Sequence, residues 1–240
     1  MKKLVLFDID GTILNTQGAG ARAFRRAMLE VYDETGPIDD YEFHGRTDPQ
    51  IARELLRMAG FQDATIDAGL QRLWSAYLRE LDLELRKPGN GTMVLAGVTP
   101  LLNALHETGQ HLVALLTGNI EPGARLKLGA AGLWGRFDFG AYGSDHERRD
   151  QLPAVAIRRA QDSSGIHFQG RDIVIIGDTP FDVSCGRSLG VWAVAVATGK
   201  HTTRELEDAG ADVVLTDLAD TQRVLAAIEG TDAVPGVSLA

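Results

Sequence analysis

Short runs of Val, Ile and Leu recur along the chain, each broken by polar residues or Gly and then followed by a helical pattern. No other feature constrains the fold as much. Continuous rather than alternating hydrophobicity suits strands covered on both faces, and a helix between consecutive strands makes the sheet parallel. The runs lie at residues 4–7, 112–116, 173–176, 191–196 and 213–215, with a weaker one near 137–141. The expected fold is therefore α/β, with a doubly wound parallel sheet of Rossmann-like design. Between residue 19 and about residue 86 the texture changes to amphipathic stretches at 21–31, 49–59 and 66–85, with no strand-like run. This segment reads as a small all-helical domain inserted after the first strand. The expected division is a core of residues 1–15 and 91–230, an insertion of residues 16–90 and a flexible tail from 231 to 240. A turn at Lys87-Pro88-Gly89-Asn90-Gly91 marks the exit from the insertion.

Charge and composition narrow the function classes. A net charge of -9 argues against a general nucleic-acid binder, because phosphate neutralisation needs a clustered Lys/Arg surface. Any anionic ligand should be small and met by local cations. The apolar run after Lys2 and Lys3 is cut by Asp8 and Asp10, too early for a signal peptide, and no run approaches a membrane span. Cys185 is the single cysteine and cannot pair within one chain, which suits a reducing compartment. These observations lead to the expectation of a soluble cytoplasmic protein.

The chemistry-bearing residues fall at strand ends. The first strand runs into Phe7-Asp8-Ile9-Asp10-Gly11-Thr12, with two carboxylates at its carboxyl end and a Gly that permits a sharp turn. Ligands in open α/β sheets bind at that edge. A second strand ends in Thr117-Gly118-Asn119, which offers a hydroxyl, backbone N–H groups and an amide to an anion. A third ends in Gly177-Asp178-Thr179-Pro180-Phe181-Asp182 and adds two acids. Each motif alone has a structural reading as a loop turn or helix cap. In one parallel sheet they converge, and four carboxylates in one crevice repel each other unless a cation joins them. Oxygen donors with room for a substrate phosphate point to Mg²⁺.

The ordered set Asp-x-Asp-Gly-Thr, Thr-Gly-Asn and Gly-Asp-Thr-x-x-Asp resembles the haloacid dehalogenase superfamily, in particular its phosphatase-type members. The resemblance implies that Asp8 is the nucleophile, Asp10 the general acid/base and Thr117 a phosphate binder, with Gly118 and Asn119 beside the substrate. It further implies that Asp178 completes a Mg²⁺ site with Asp8 and the Asp10 backbone carbonyl, supported by Asp182, and that the helical insertion is the family's cap. The implied activity is hydrolysis of a small phosphorylated metabolite, such as phosphoglycolate or a sugar phosphate, through an aspartyl phosphate. A phosphomutase, a metal-free dehalogenase and a non-catalytic phosphate sensor are the alternatives.

One element departs from the family pattern, which places a Lys ahead of the helix preceding the metal-binding strand. No Lys lies between Lys127 and Lys200, and the matching region reads His146-Glu147-Arg148-Arg149-Asp150-Gln151-Leu152-Pro153. Arg149 is therefore the expected cation and Arg148 the next candidate, since an Arg can bridge carboxylate and phosphoryl oxygens. Lys127, about ten residues beyond the Thr-Gly-Asn turn, is the other possibility for the cation, though its expected place is a solvated helix face. In the cap, the segment Phe43-His44-Gly45-Arg46-Thr47-Asp48 resembles the family's active-site loop, making His44 and Arg46 candidate contacts to the leaving group. Phe24, Trp74 and Tyr77 are expected in the core, and Cys185, His106, His111, His146, His167 and His201 are expected to be structural.

Overall fold

The computed structural model describes residues 2–87 and 91–231; most of the expected exit turn and of the expected tail lies outside these residues. A parallel sheet forms from β1 (Leu4–Phe7), β4 (Leu112–Thr117), β5 (Gly140–Tyr142), β6 (Ile173–Gly177), β7 (Trp192–Val196) and β8 (Val213–Leu215). These six strands stand in the order β5-β4-β1-β6-β7-β8. Counted along the sheet alone, that is the doubly wound order 3-2-1-4-5-6, whose direction of winding reverses at the first strand. The connecting helices are α4 (Val98–Thr108), α5 (Glu121–Ala130), α6 (Leu152–Ser164), α7 (Pro180–Cys185) and α8 (Thr203–Asp208), with α9 (Thr221–Glu229) after β8.

β1 shows why the apolar runs are continuous. Its Val5 and Phe7 enter one hydrophobic cluster with Leu101, Val113 and Ile176, while Leu4 and Leu6 enter a second with Leu116, Ala156 and Phe168 on the opposite face. Each fully buried Leu or Phe contributes roughly 1.5–3 kcal/mol, so the central strand is pinned from both sides. Pinning fixes register. Phe7 pairs with Leu115 of β4 and with Ile176 of β6. Continued by one step, that register levels Asp8 with Leu116 and Gly177, and the next residues on those strands are Thr117 and Asp178.

The segment between β1 and β4 forms α1 (Ala19–Tyr32), α2 (Asp48–Met58) and α3 (Asp63–Leu85). Their apolar stripes meet in a separate cluster that includes Phe24, Met28, Leu55, Leu73, Tyr77 and Leu81, joined by Ile120 from the core. Phe24 packs edge-on to Tyr77 with centroids 5.3 Å apart, and Trp74 stands at 6.2 Å, as expected of core aromatics. A short ribbon flanks the insertion on the core side. β2 (Leu14–Asn15) pairs antiparallel with β3 (Met93–Val94), tying the entry of the insertion to its exit. Two-residue strands carry too little pattern to be read from sequence. Near the end of α3, Glu84 is fully buried and paired with Arg22, Arg26 and Lys87. Among the described residues no helix is long and apolar enough to cross a membrane.

Candidate active site

At the carboxyl ends of β1 and β4 the chain gathers Asp8, Asp10 and Thr117 around one cavity of about 410 Å³, and β6 brings Asp178 beside Asp8. The cavity is closed on the far side by the insertion, through Gly20, Phe24, His44, Arg46 and Tyr77. Asp8 leaves the sheet with its N–H still donating to the Ile176 carbonyl at 2.9 Å, so the strand holds the backbone of this residue. Carboxylate oxygens of Asp8, Asp178 and Asp182 lie within 4.8 Å of one another. All three residues are buried. Burial pushes the Asp8 carboxyl up, against the opposing pull of Arg149. It pushes Asp178 up as well, helped by the negative neighbours Asp182 and Asp8.

The cation among these acids is Arg149, itself only 5% exposed. Its Nη2 stands 3.2 Å from Asp8 Oδ1 and also bonds Asp182 Oδ1. Arg148 points outwards and pairs with Asp150 at 2.6 Å, so the structure separates the two arginines that the sequence left side by side. Asp182 is held at its other oxygen too. It accepts from the backbone N–H and hydroxyl of Thr179, closing the capping box that starts α7.

These acids fit a divalent cation. Asp178 accepts from the Thr12 hydroxyl at 3.1 Å through Oδ1, but its buried Oδ2 has no hydrogen-bond partner. A Cβ added to Gly11 or Gly199 would lie 2.3 or 1.8 Å from that oxygen, so two glycines keep the space beside it clear. Gly11 also holds φ +81°, a conformation that side chains resist. An unpartnered buried carboxylate oxygen beside two other carboxylates is a donor set for a hard cation.

Asp10 is treated differently. Its carboxylate turns away from Asp178 and receives Lys127 Nζ at 2.8 and 2.7 Å and Asn119 Nδ2 at 2.8 Å. Partial loss of water around this half-exposed carboxyl would raise it, but the Lys127 charge and the hydrogen bonds of Lys127 and Asn119 hold it below the usual range. Asn119 also donates to the Thr117 hydroxyl at 2.8 Å and accepts from Lys127 at 2.6 Å, so its amide serves neighbouring side chains. Lys127 corrects the sequence expectation. It is 5% exposed and faces the cavity rather than solvent. The reason is the turn of α5, which buries Gly123, Ala124, Lys127 and Leu128 along one stripe.

The haloacid dehalogenase-like hydrolase description matches residues 5–196. The chain belongs to that family. Relatives of this hydrolase include the probable phosphatase IndB of Dickeya dadantii, 28% identical over 90% of each chain. The phosphoglycolate phosphatase of Rhodospirillum rubrum is 27% identical, over 91% of this chain and 89% of that one. Among solved structures, a predicted phosphatase from Clostridium acetobutylicum superposes with TM-score 0.70 at 19% identity, covering 94% of this chain and 99% of the other. A beta-phosphoglucomutase from Clostridium difficile gives 0.71 at 16%, covering 96% and 98%. At these identities the structural likeness is one of fold.

In this haloacid dehalogenase-like hydrolase the cap closes on the core through main chain. The Asp48 N–H donates to the Gly118 carbonyl at 2.8 Å, and a Cβ on Gly118 would fall 2.0 Å from the Arg46 carbonyl oxygen. The Thr47 hydroxyl donates to the Glu147 carbonyl, and the Asp48 carboxylate accepts from the Ile120 N–H at 2.9 Å. Gly118 is thus a seat for the cap as well as part of the cavity wall. Burial raises the Asp48 carboxyl to about 6, with Lys127 pulling the other way. His44 and Arg46 both line the cavity. Arg46 is steadied by Glu54 at 3.0 Å and lies over the rings of Tyr41 and Phe181. Sequence reasoning missed Asp48 as a buried acid, since an Asp beside Pro49 reads as an ordinary helix start.

Proposed function

We propose that the protein is a Mg²⁺-dependent phosphatase that hydrolyses a small phosphomonoester through an aspartyl phosphate on Asp8. The observation that carries this reading is the meeting of Asp8, Asp10, Thr117 and Arg149 around one cavity, with Asp178 beside Asp8, at the edge where the sheet reverses its winding. Relatives named phosphoglycolate phosphatases, and the probable phosphatase IndB, support it. The cavity lies at the lower end of the range for small-molecule sites, which favours a compact leaving group such as a short hydroxy acid or a sugar.

In this mechanism an Asp8 oxygen attacks phosphorus and the ester P–O bond breaks, while Asp10, a carboxylate in the free protein that takes up a proton as the substrate binds, gives that proton to the departing oxygen. In the second half Asp10 takes a proton from water as the water oxygen attacks the aspartyl phosphate, which frees phosphate and restores Asp8. The Thr117 hydroxyl and the N–H groups of the following turn hold the phosphoryl oxygens. Arg149 lowers the repulsion between Asp8 and the incoming anion, while Asp182 holds Arg149 in place. Asp8 and Asp178, with the Asp10 backbone carbonyl, would hold Mg²⁺, which supplies charge neutralisation for the transferring phosphoryl group. The cap, residues 16–90, would choose the leaving group through His44 and Arg46.

A panel of phosphomonoesters, assayed with Mg²⁺ and with EDTA, tests the reading. Turnover of a small ester should require the metal, and ³²P should be trapped on Asp8 after an acid quench. Asp8→Asn, nearly isosteric and a poor nucleophile, should lose at least about 10³-fold in kcat while keeping its fold. Turnover retained in EDTA, or an unlabelled protein during turnover, would sink the mechanism.

A further inference from the structure

The ammonium of Lys127 is enclosed from several sides. It belongs to α5 of the core, and a Cβ on Gly20 of the cap helix α1 would stand only 3.6 Å from its Nζ and 3.9 Å from the Tyr77 hydroxyl of α3. Its contacts number as many as an ammonium has protons: both oxygens of Asp10 and the amide oxygen of Asn119, all at 2.6 to 2.8 Å. With those protons engaged, Lys127 has no donor left for a phosphoryl group. This distinguishes it from Arg149, whose Nε is buried without a partner.

The arrangement has a geometric consequence for Asp10. A carboxylate at the mouth of a cavity normally samples several rotamers, and Asp10 is 39% exposed at its side chain. Here one cation spans both oxygens while the Asn119 amide donates to one of them. Asn119 is itself tied to Lys127 and to the Thr117 hydroxyl. Asp10, Lys127 and Asn119 therefore form a closed ring of hydrogen bonds, with Thr117 attached through Asn119, and in it the carboxylate plane has a fixed direction.

We propose that Lys127 is a positioning residue for catalysis: together with Asn119 it fixes the orientation from which Asp10 exchanges protons with the ester oxygen and with water. The proposal rests on the phosphatase reading, and it gives Lys127 a part that acts wholly through Asp10. Proton exchange tolerates little misalignment, so freeing the carboxylate lowers the rate of both half-reactions for an alkyl ester. With p-nitrophenyl phosphate the first half needs little proton donation, and the loss concentrates in the second half.

The test uses p-nitrophenyl phosphate and the full chain with Mg²⁺. Wild-type turnover is measured first; if no phosphomonoester is hydrolysed, the phosphatase reading itself has failed, before any variant is considered. Lys127→Met should lower steady-state kcat by about 30- to 100-fold, with KM within about 3-fold of wild type. A burst of about one p-nitrophenol per site should precede the slow phase, and labelled aspartyl phosphate should accumulate. Lys127→Arg, which restores the cation with different reach, should recover part of the rate. In an Asp10→Asn background the same Lys127→Met change should alter kcat by less than about 3-fold. That double variant removes carboxylate and cation together, so the comparison stands even where Lys127→Met alone folds poorly. Equal losses in both backgrounds, a raised KM at unchanged kcat, or wild-type rates in Lys127→Met would each overturn the proposal.

Discussion

Two carboxylates two residues apart are served by two cations of different origin. Asp8 meets Arg149, which arrives from the loop before α6, lies wholly within the core and shares its charge with Asp182. Asp10 meets Lys127, which arrives from α5 and is covered by the cap. On the proposed mechanism the first pair would neutralise an acid that approaches an anion, and the second would orient an acid that hands over a proton. Charge compensation and aim would then be separate demands met by separate residues.

The largest effect that separates the two pairs is expected at Arg149. Arg149→Ala leaves Asp8 and Asp182 buried without their cation, which should cost roughly 3–5 kcal/mol of transition-state stabilisation, about 10²- to 10³-fold in kcat/KM or more. Arg149→Lys should recover part of it. Unlike Lys127→Met, the Arg149→Ala loss should persist in the Asp10→Asn background, because the arginine acts on the nucleophile and the phosphoryl group. Kinetics of wild type, Arg149→Ala, Asp10→Asn and the double variant on p-nitrophenyl phosphate would check this, and a loss that vanishes without Asp10 would merge the two roles.

Glu84 provides the control, a buried carboxylate ringed by Arg22, Arg26 and Lys87 but outside the cavity. Burial alone would raise its carboxyl, yet hydrogen bonds from those cations hold it down at about 2. Because the folded value lies below the ordinary 4.5, this stabilisation is full above about pH 4.5 and fades as pH falls through about 2. Glu84→Gln should therefore lose about 2–4 kcal/mol of stability at neutral pH, with kcat little changed, and the gap to wild type should narrow in acid. Thermal melts between pH 3 and pH 7 measure it; a constant gap would contradict the ion-pair account.

The smallest effect is expected where the cap's own acid meets the field of Lys127. Asp48 has a folded value of about 6 against an ordinary 3.8, so the folded chain holds that proton more tightly than the unfolded chain. Its ionisation thus erodes stability as pH rises from about 4 to about 6 and no further beyond. Asp48→Asn, whose amide oxygen can still accept from Ile120, should gain on wild type by roughly 2–3 kcal/mol across that window. A difference independent of pH would show that Asp48 is already compensated, by Lys127 among others.

The same contrast explains what could be read in advance. Strand ends were legible because β1, β4 and β6 are buried on both faces and announce themselves as apolar runs, and a parallel register then delivers Asp8, Thr117 and Asp178 to one edge. Arg149 was legible by elimination, being a positive charge ahead of β6 where no lysine stands. Lys127 was not, because lysine on a helix is nearly always a solvated residue. A signal existed: Ile120, Ala124, Lys127 and Leu128 share one helical face, and a charge within an apolar stripe asks for a buried partner. Asp48 and the β2/β3 ribbon gave no comparable sign, since both depend on where the cap comes to rest.

That resting place is set at Gly118, where carbonyl oxygen and amide hydrogen of opposite domains meet with no side chain between them. Side chains can be exchanged by single mutations; a main-chain contact changes only if the backbone moves or the glycine is lost. The neighbouring cap residues that face the cavity, His44 and Arg46, can thus be replaced without unseating the cap at this point. Such a seam separates the side chains that face the cavity from the contact that holds the cap shut.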